Sequence, residues 1–344
     1  MADVPVPSIT VIPRYVTVIG EAIIDLVPDG QSRTFHAVPG GSPYNVAIGL
    51  ARLGHQTALM ARMGDNAFGR LLREHARAEG IDLDVAPRAA EPATLAVVSL
   101  DAEAQASYDF YVQGTADWQW TAEEIGRAPD DTAVLHFGSL ASWTPPGDAR
   151  ILELSQRMHE REDVLVSYDP NIRPGLLADH QHGQRMIERA VRLAHLVKAS
   201  EDDIAWLYPG QSPAEVARHW LGLGATAVVI TRSAAGADAF TAEGLTVHRP
   251  ARDITVVDTV GAGDSFTAGL IASLIRRDRY APADLARCPA DQLSAALDDA
   301  ILVAALNCER QGNDPPTAAD VAAARDRLRP APSAPRAGDS DRRG

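Results

Sequence analysis

A carboxylate set beside a glycine pair at the start of a helix can take up a proton while neighbouring amides hold an anion. The run Asp258-Thr259-Val260-Gly261-Ala262-Gly263-Asp264-Ser265-Phe266 has that composition. Gly261 and Gly263 permit a tight turn and let backbone amides reach a ligand with no Cβ in the way. Phe266, Leu270 and Leu274 recur at four-residue spacing and predict a helix opening here. Its unpaired first N–H groups and positive dipole end add to the anion site. A carboxylate there repels a phosphate unless its task is to accept the proton of an attacking hydroxyl, as in phosphoryl transfer. The helix start is expected to favour the charged form of Asp264. On local grounds alone, Asp264 would serve as well as a plain helix N-cap. Two other phosphate loops fail: Phe266 stands where G-x-G-x-x-G needs its third glycine, and G-x-x-x-x-G-K-[ST] is absent from the chain.

A second constellation is Pro39-Gly40-Gly41-Ser42-Pro43-Tyr44-Asn45-Val46-Ala47. Ser42 is placed to cap a helix whose first turn Pro43 suits, with Val46, Leu50 and Leu53 on its apolar side and Gly54 as its stop. Gly40 and Gly41 leave amides accessible, and Asn45 offers both donors and acceptors, a mixture suited to a polyhydroxy ligand. The same string would also make a well-capped helix with no further role.

The elements that must position these residues read as alternating strands and helices. Apolar or β-rich runs at Tyr15–Ile19, Ala133–Phe137, Val164–Tyr168, Leu196–Lys198, Ala227–Thr231 and Ile254–Val257 predict strands, the last leading into the glycine run. Met186–Ala194 and Ala214–Leu221 have helical spacing. Together they predict a largely parallel sheet covered on both faces. Thr94–Leu100 and Ser107–Val112, separated by the turn-prone DAEAQA, would join Thr34–Val38 in a small antiparallel sheet acting as a lid. The expected organisation is one domain over 14–328, its lid drawn from about 31–39 and 92–114. Residues 1–13 and 329–344 are expected to be disordered tails, the latter rich in Pro, Ala and charge.

Composition narrows the partners. The 344 residues are 46% apolar and 23% charged, which fits a soluble protein with a sizeable core. A net charge of -14 without a basic stripe disfavours nucleic acid, whose phosphates demand clustered Lys and Arg. No apolar run approaches the roughly 20 residues that cross a bilayer. Asp3 and three prolines stand where a signal peptide would carry positive charge and an apolar run. The two cysteines, Cys288 and Cys308, suggest neither a zinc site nor a disulfide framework, so a cytoplasmic location is expected.

The two glycine strings, in this order, resemble the two signatures of the ribokinase-like (PfkB) sugar kinases, and the resemblance runs from about Tyr15 to Leu328. Gly41-Ser42-Pro43-Tyr44-Asn45, Tyr108-Asp109-Phe110-Tyr111 and Gly114-Thr115-Ala116-Asp117 are most similar to bacterial fructokinases. The resemblance implies a doubly wound α/β fold, with a mostly parallel sheet between two helical layers and a small β-sheet lid. It implies ATP and Mg²⁺ as cofactors, a monovalent cation such as K⁺ as a further one, a small sugar as substrate and a homodimer by analogy. Asp264 becomes the catalytic base, and Gly261, Ala262 and Gly263 the anion hole. Asp25, otherwise only a polar residue at a strand end, matches the family's aspartate for sugar hydroxyls.

Gly40, Gly41 and Asn45 match sugar contacts, Tyr108 and Tyr111 approach from the lid, and Arg173 of Asp169-Pro170-Asn171-Ile172-Arg173 reaches phosphate or sugar. Lys198, Thr231, Gly236, Asn307 and Gly312 fall on the nucleotide side. Two departures stand out. Ser233 replaces the glycine expected two residues after Thr231. Ser200-Glu201-Asp202-Asp203 stands where the family has Asn-x-x-Glu, leaving Asp203 as a metal-shell residue. Fructose is the expected acceptor. 2-Keto-3-deoxygluconate, ribose or a nucleoside are alternatives, and a non-catalytic sugar sensor is the reading from another class.

Overall fold

The computed structural model describes residues 15–30, 33–100 and 106–328; the two expected tails and most of the DAEAQA turn lie outside them. Fourteen strands follow in chain order: β1 (Tyr15–Ile19), β2 (Ile23–Pro28), β3 (Phe35–Gly40), β4 (Thr57–Met60), β5 (Met63–Gly64), β6 (Arg88–Ala89), β7 (Leu95–Leu100), β8 (Ala106–Tyr111), β9 (Thr132–Gly138), β10 (Leu165–Asp169), β11 (Leu196–Ser200), β12 (Ala227–Thr231), β13 (Ala237–Thr241) and β14 (Thr246–Arg249). The helices are α1 (Ser42–Arg52), α2 (Ala67–Ala78), α3 (Ala122–Ile125), α4 (Asp148–His159), α5 (His180–Val191), α6 (Glu201–Leu207), α7 (Pro213–Gly222), α8 (Ala262–Arg276), α9 (Pro282–Ala286), α10 (Ala290–Cys308) and α11 (Ala318–Leu328).

Eight strands form the body in the order β14-β13-β12-β11-β10-β9-β1-β4. The six from β12 to β4 are parallel, and β13 and β14 extend the sheet antiparallel. Because side chains alternate across a strand, each central strand feeds both layers. On β12, Ala227 and Val229 face the layer built by α1, α2, α8 and α10, while Val228 and Ile230 face that of α4, α5, α6 and α7. The expected doubly wound sheet is therefore present. Phe266, Leu270 and Leu274 of α8 are all buried, as their spacing predicts.

The lid is a four-stranded sheet in the order β3-β2-β7-β8. The three expected lid segments are strands, and the fourth is β2, which carries Asp25 and pairs antiparallel with β3 but parallel with β7. One expected strand is absent. Residues 254–257 are a loop, with Val256 and Val257 exposed, and the Val257 and Asp258 amides both donate to the Cys308 carbonyl at the end of α10. The place beside β12 in the sheet is taken by β13, with β14 at the edge.

Candidate active site

The body strands end, and the lid begins, around one cavity of about 320 Å³. It sits beyond the carboxyl ends of the parallel strands, where open α/β sheets bind ligands. From the expected residues it gathers Asp25, Gly41, Asn45, Tyr108, Arg173, Lys198, Gly261, Ala262, Gly263 and Asp264. Glu21, Ile23, Ser42, Phe110, Ser139, Leu140, Asn171, Thr259 and Val260 complete the wall.

Asp264 lies in the first turn of α8 and is not its cap; that position is Gly261, whose φ of 74° favours glycine. A Cβ on Gly261 would fall on Asn313 Oδ1, so the loop after α10 closes against the glycine turn. The Asp264 carboxylate is buried and accepts two hydrogen bonds from α1, one from Ser42 Oγ at 2.6 Å and one from Asn45 Nδ2 at 2.8 Å. Ser42 is thus no helix cap, since α1 starts from Gly41 without a side-chain cap and the hydroxyl is spent on Asp264. Burial raises the Asp264 pKa above the ordinary carboxylate value, outweighing the Ser42 and Asn45 hydrogen bonds and Lys198, which pull it down. The expectation that the helix start would fix the charged form is therefore corrected: desolvation dominates.

Among the described residues Asn45 Oδ1 is buried without a partner, an acceptor available to a ligand hydroxyl. Across the cavity, burial pushes Asp25 up to about 6; Arg173 opposes that shift and Asp264 adds to it. Gly40 does not line the cavity but makes room there, because a Cβ on it would stand 2.3 Å from Asp25 Oδ2. Tyr108 and Phe110 project from one face of β8 with ring centroids 6.1 Å apart, whereas Tyr111 lies outside the cavity and is 62% exposed.

Lys198, in the middle of β11, is buried and pairs with buried Asp169 at 2.9 Å. Burial disfavours its charge, yet Asp169, Asp203 and Asp264 together raise its pKa, so it is a fixed cation. Its Nζ lies 3.1 Å from where a Gly263 Cβ would stand, against the first turn of α8. Amides, glycines and a locked ammonium thus converge on one corner, with the chemistry to hold phosphate.

The remaining expected residues lie outside the cavity. Thr231 ends β12 with its hydroxyl directed to the Ala199 carbonyl, and Gly236, at φ 93°, turns where a Cβ would strike the Arg249 carbonyl. Ser233 adopts a positive φ of 45°, so this turn keeps a glycine-like path without glycine. Asn307 Nδ2 donates to the Val260 carbonyl, and the Gly312 amide donates to Asp258 Oδ2. These two brace the glycine turn from behind. Asp203 forms a capping box with Ser200 and accepts the Ile172 amide at 2.8 Å, so it is a buried bracket rather than a solvated helix start.

Sequence reading missed Glu21, which lies in the cavity wall. Its carboxylate accepts the Ala141 amide at 3.0 Å, and burial raises its pKa to about 7. An acid immediately after Gly20 at the end of an apolar strand was the available signal.

Comparison with known proteins agrees with this fold. Residues 13–319 match the family model described as pfkB family carbohydrate kinase. A fructokinase of Rhizobium leguminosarum bv. trifolii is 37% identical over 258 residues, covering 74% of this chain and 78% of the relative. An aminoimidazole riboside kinase of Salmonella typhimurium is 32% identical over 273 residues, covering 79% and 84%. The crystal structure of a fructokinase from Vibrio cholerae O395 in its fructose-, ADP- and calcium-bound form superposes with a TM-score of 0.76. It is 29% identical and covers 88% of this chain and 94% of that one.

Proposed function

The chain belongs to the pfkB family of carbohydrate kinases, and on that premise we propose that it transfers the γ-phosphoryl group of ATP to a hydroxyl of fructose, with Asp264 as base. The observation that carries this reading is the placement of Asp264: buried, held by Ser42 and Asn45, and flanked by the Gly261–Gly263 turn and Lys198 in one cavity with Asp25. Asp25 and Asn45 Oδ1 accept sugar hydroxyls, which orients one hydroxyl towards Asp264. As that oxygen bonds to the γ-phosphorus, its proton passes to Asp264 and the bond to the β-phosphate bridging oxygen breaks, releasing ADP. The amides at the start of α8 and Lys198 offset charge on the transferring group. Asp264 does this work best with a pKa near the working pH, and its upward shift is in that direction. With the lid strands over the sugar, water is kept from competing for the phosphoryl group.

No cluster of three or more His, Cys, Asp or Glu side chains suited to a metal occurs among the described residues. Mg²⁺, when bound, would be held by nucleotide phosphates and water and would neutralise phosphate charge. Asp203 already accepts three hydrogen bonds and lies outside the cavity wall, so any part it took in holding Mg²⁺ would be through water.

The test is ADP release with MgATP against fructose, ribose, 2-keto-3-deoxygluconate, tagatose and adenosine. Fructose should be turned over selectively, and Asp264→Asn should lower kcat by roughly 10²-fold or more with ATP binding retained. Near-normal turnover in that folded variant would remove Asp264 as the base. ATP binding with silence across the sugars would favour a sensor. A riboside acceptor is the second reading, favoured by the Tyr108–Phe110 ring pair in the wall, which offers a heterocycle a stacking face.

A further inference from the structure

Gly114-Thr115-Ala116-Asp117 follows the lid in sequence and contributes nothing to the cavity wall, yet Asp117 is fully buried. Its Oδ1 accepts the Ala22 amide at 2.8 Å, and its Oδ2 accepts the Thr94 hydroxyl at 2.6 Å. Thr94 Oγ1 lies 2.6 Å from Thr115 Oγ1, and Thr115 Oγ1 lies 2.9 Å from the Val112 carbonyl. These partners share a position in the topology. Ala22 immediately precedes β2, Thr94 immediately precedes β7, and Thr115 follows β8. The chain passes between body and lid at 20–22, 40–41, 92–94 and 112–115, and all but the second of these crossings meet at Asp117.

Around this junction the backbone is bonded across as well. The Ile24 amide donates to the Thr94 carbonyl, and the Ala116 amide donates to the Pro92 carbonyl. Asp117 also stands beside the active site through one neighbour. Glu21, in the cavity wall, precedes Ala22 and feels the Asp117 charge. From Ala22, the extended β2 leads in three residues to Asp25, a reach of roughly 10 Å. The Thr94 hydroxyl and the backbone amides of Ala22, Thr94 and Asp117 donate to this carboxylate, which has no ion pair among the described residues, so its charge is still costly to bury. Burial raises its pKa to about 6.

We propose that Asp117 is a positioning residue for phosphoryl transfer, joining three roots of the lid so that Asp25 is held facing Asp264. This rests on the carbohydrate-kinase reading of the site and adds to it a residue that touches neither substrate. Its consequence is asymmetric. Loosening the junction displaces the sugar-binding side, on β2, and leaves the nucleotide side, on α8, α10 and β11, in place.

The experiment compares Asp117→Asn and Thr94→Val with the parent chain by amide hydrogen exchange, thermal melting and steady-state kinetics with fructose and MgATP. A hydrogen bond to a charged group is worth about 1.5–3 kcal/mol, so Asp117→Asn should raise the fructose KM by roughly 10-fold or more, with the ATP KM within about 2-fold. Exchange should quicken in Ile23–Pro28 and Leu95–Leu100 while β9, β10 and β11 keep their protection. Thr94→Val should move the same quantities the same way, and the double variant should be no worse than Asp117→Asn alone. Thr94→Val also carries the test should Asp117→Asn not fold. Two results would overturn the proposal: exchange that rises evenly through lid and body, or a quickened lid with an unchanged fructose KM. Exchange is read without turnover, so a parent chain inactive on every sugar would sink the kinase reading while leaving the lid junction to be judged separately.

Discussion

Ser42→Ala isolates the tuning of Asp264. The Ser42 hydroxyl donates to Asp264 Oδ1 at 2.6 Å and is itself buried, so its removal leaves one carboxylate oxygen short of a donor. A hydrogen bond to a charged acceptor contributes about 1.5–3 kcal/mol, and about 1.4 kcal/mol corresponds to one pKa unit. Loss of the Ser42 bond should therefore raise the Asp264 pKa further, by about 1–2 units, because the lost donor favours the ionised form. As the proposed base, Asp264 would accept the sugar proton only when ionised, so the acid limb of kcat should move to higher pH by about that amount. On the alkaline plateau, where Asp264 is ionised in both proteins, kcat should change little. The assay is kcat against pH at saturating sugar and MgATP, which reports groups in the ternary complex. An acid limb that stays in place while the plateau falls would refute the reasoning, assigning Ser42 to the substrate instead of to Asp264.

Two other outcomes follow from the charges in the cavity. Burial pushes Asp25 up to about 6, and in the proposed sugar site its ionised carboxylate would accept the hydroxyls, so kcat/KM for the sugar should fall as pH drops through 6. Asp25→Ala should raise the sugar KM strongly and remove that limb; a change in the ATP response alone would displace Asp25 from the sugar site. Lys198→Met would leave Asp169 buried and unpaired, and should cost about 3–5 kcal/mol of stability in urea denaturation. A loss below about 1 kcal/mol would show that Asp169 finds another partner.

Much of the protein was legible because its signals are local. Ala227–Thr231 is a strand in both readings because every one of its residues is apolar or β-branched and both of its faces are covered. The α8 start was legible for the same reason, since glycine freedom and a four-residue apolar spacing act within one turn of helix. Where neighbours decide, local reading failed. Ile254–Val257 has strand composition but joins no sheet, and its Val257 amide turns to the Cys308 carbonyl instead. The Ala-rich β13 went unread, although it pairs along its whole length with β12.

Residue types thus settled on their own that a carboxylate follows a glycine turn at a helix start, and that an α/β sheet stands behind it. Tertiary structure alone decided what surrounds that carboxylate. The donors that hold Asp264 come from α1, 219 and 222 residues earlier in the chain. Its upward pKa shift comes from burial, a property of everything packed around it. Glu21 and Asp117 acquired their places in the same way, one in the cavity wall and one beneath the lid. Helix starts and turns are governed by interactions a few residues long, whereas desolvation and hydrogen bonds between distant segments exist only once the chain has closed on itself.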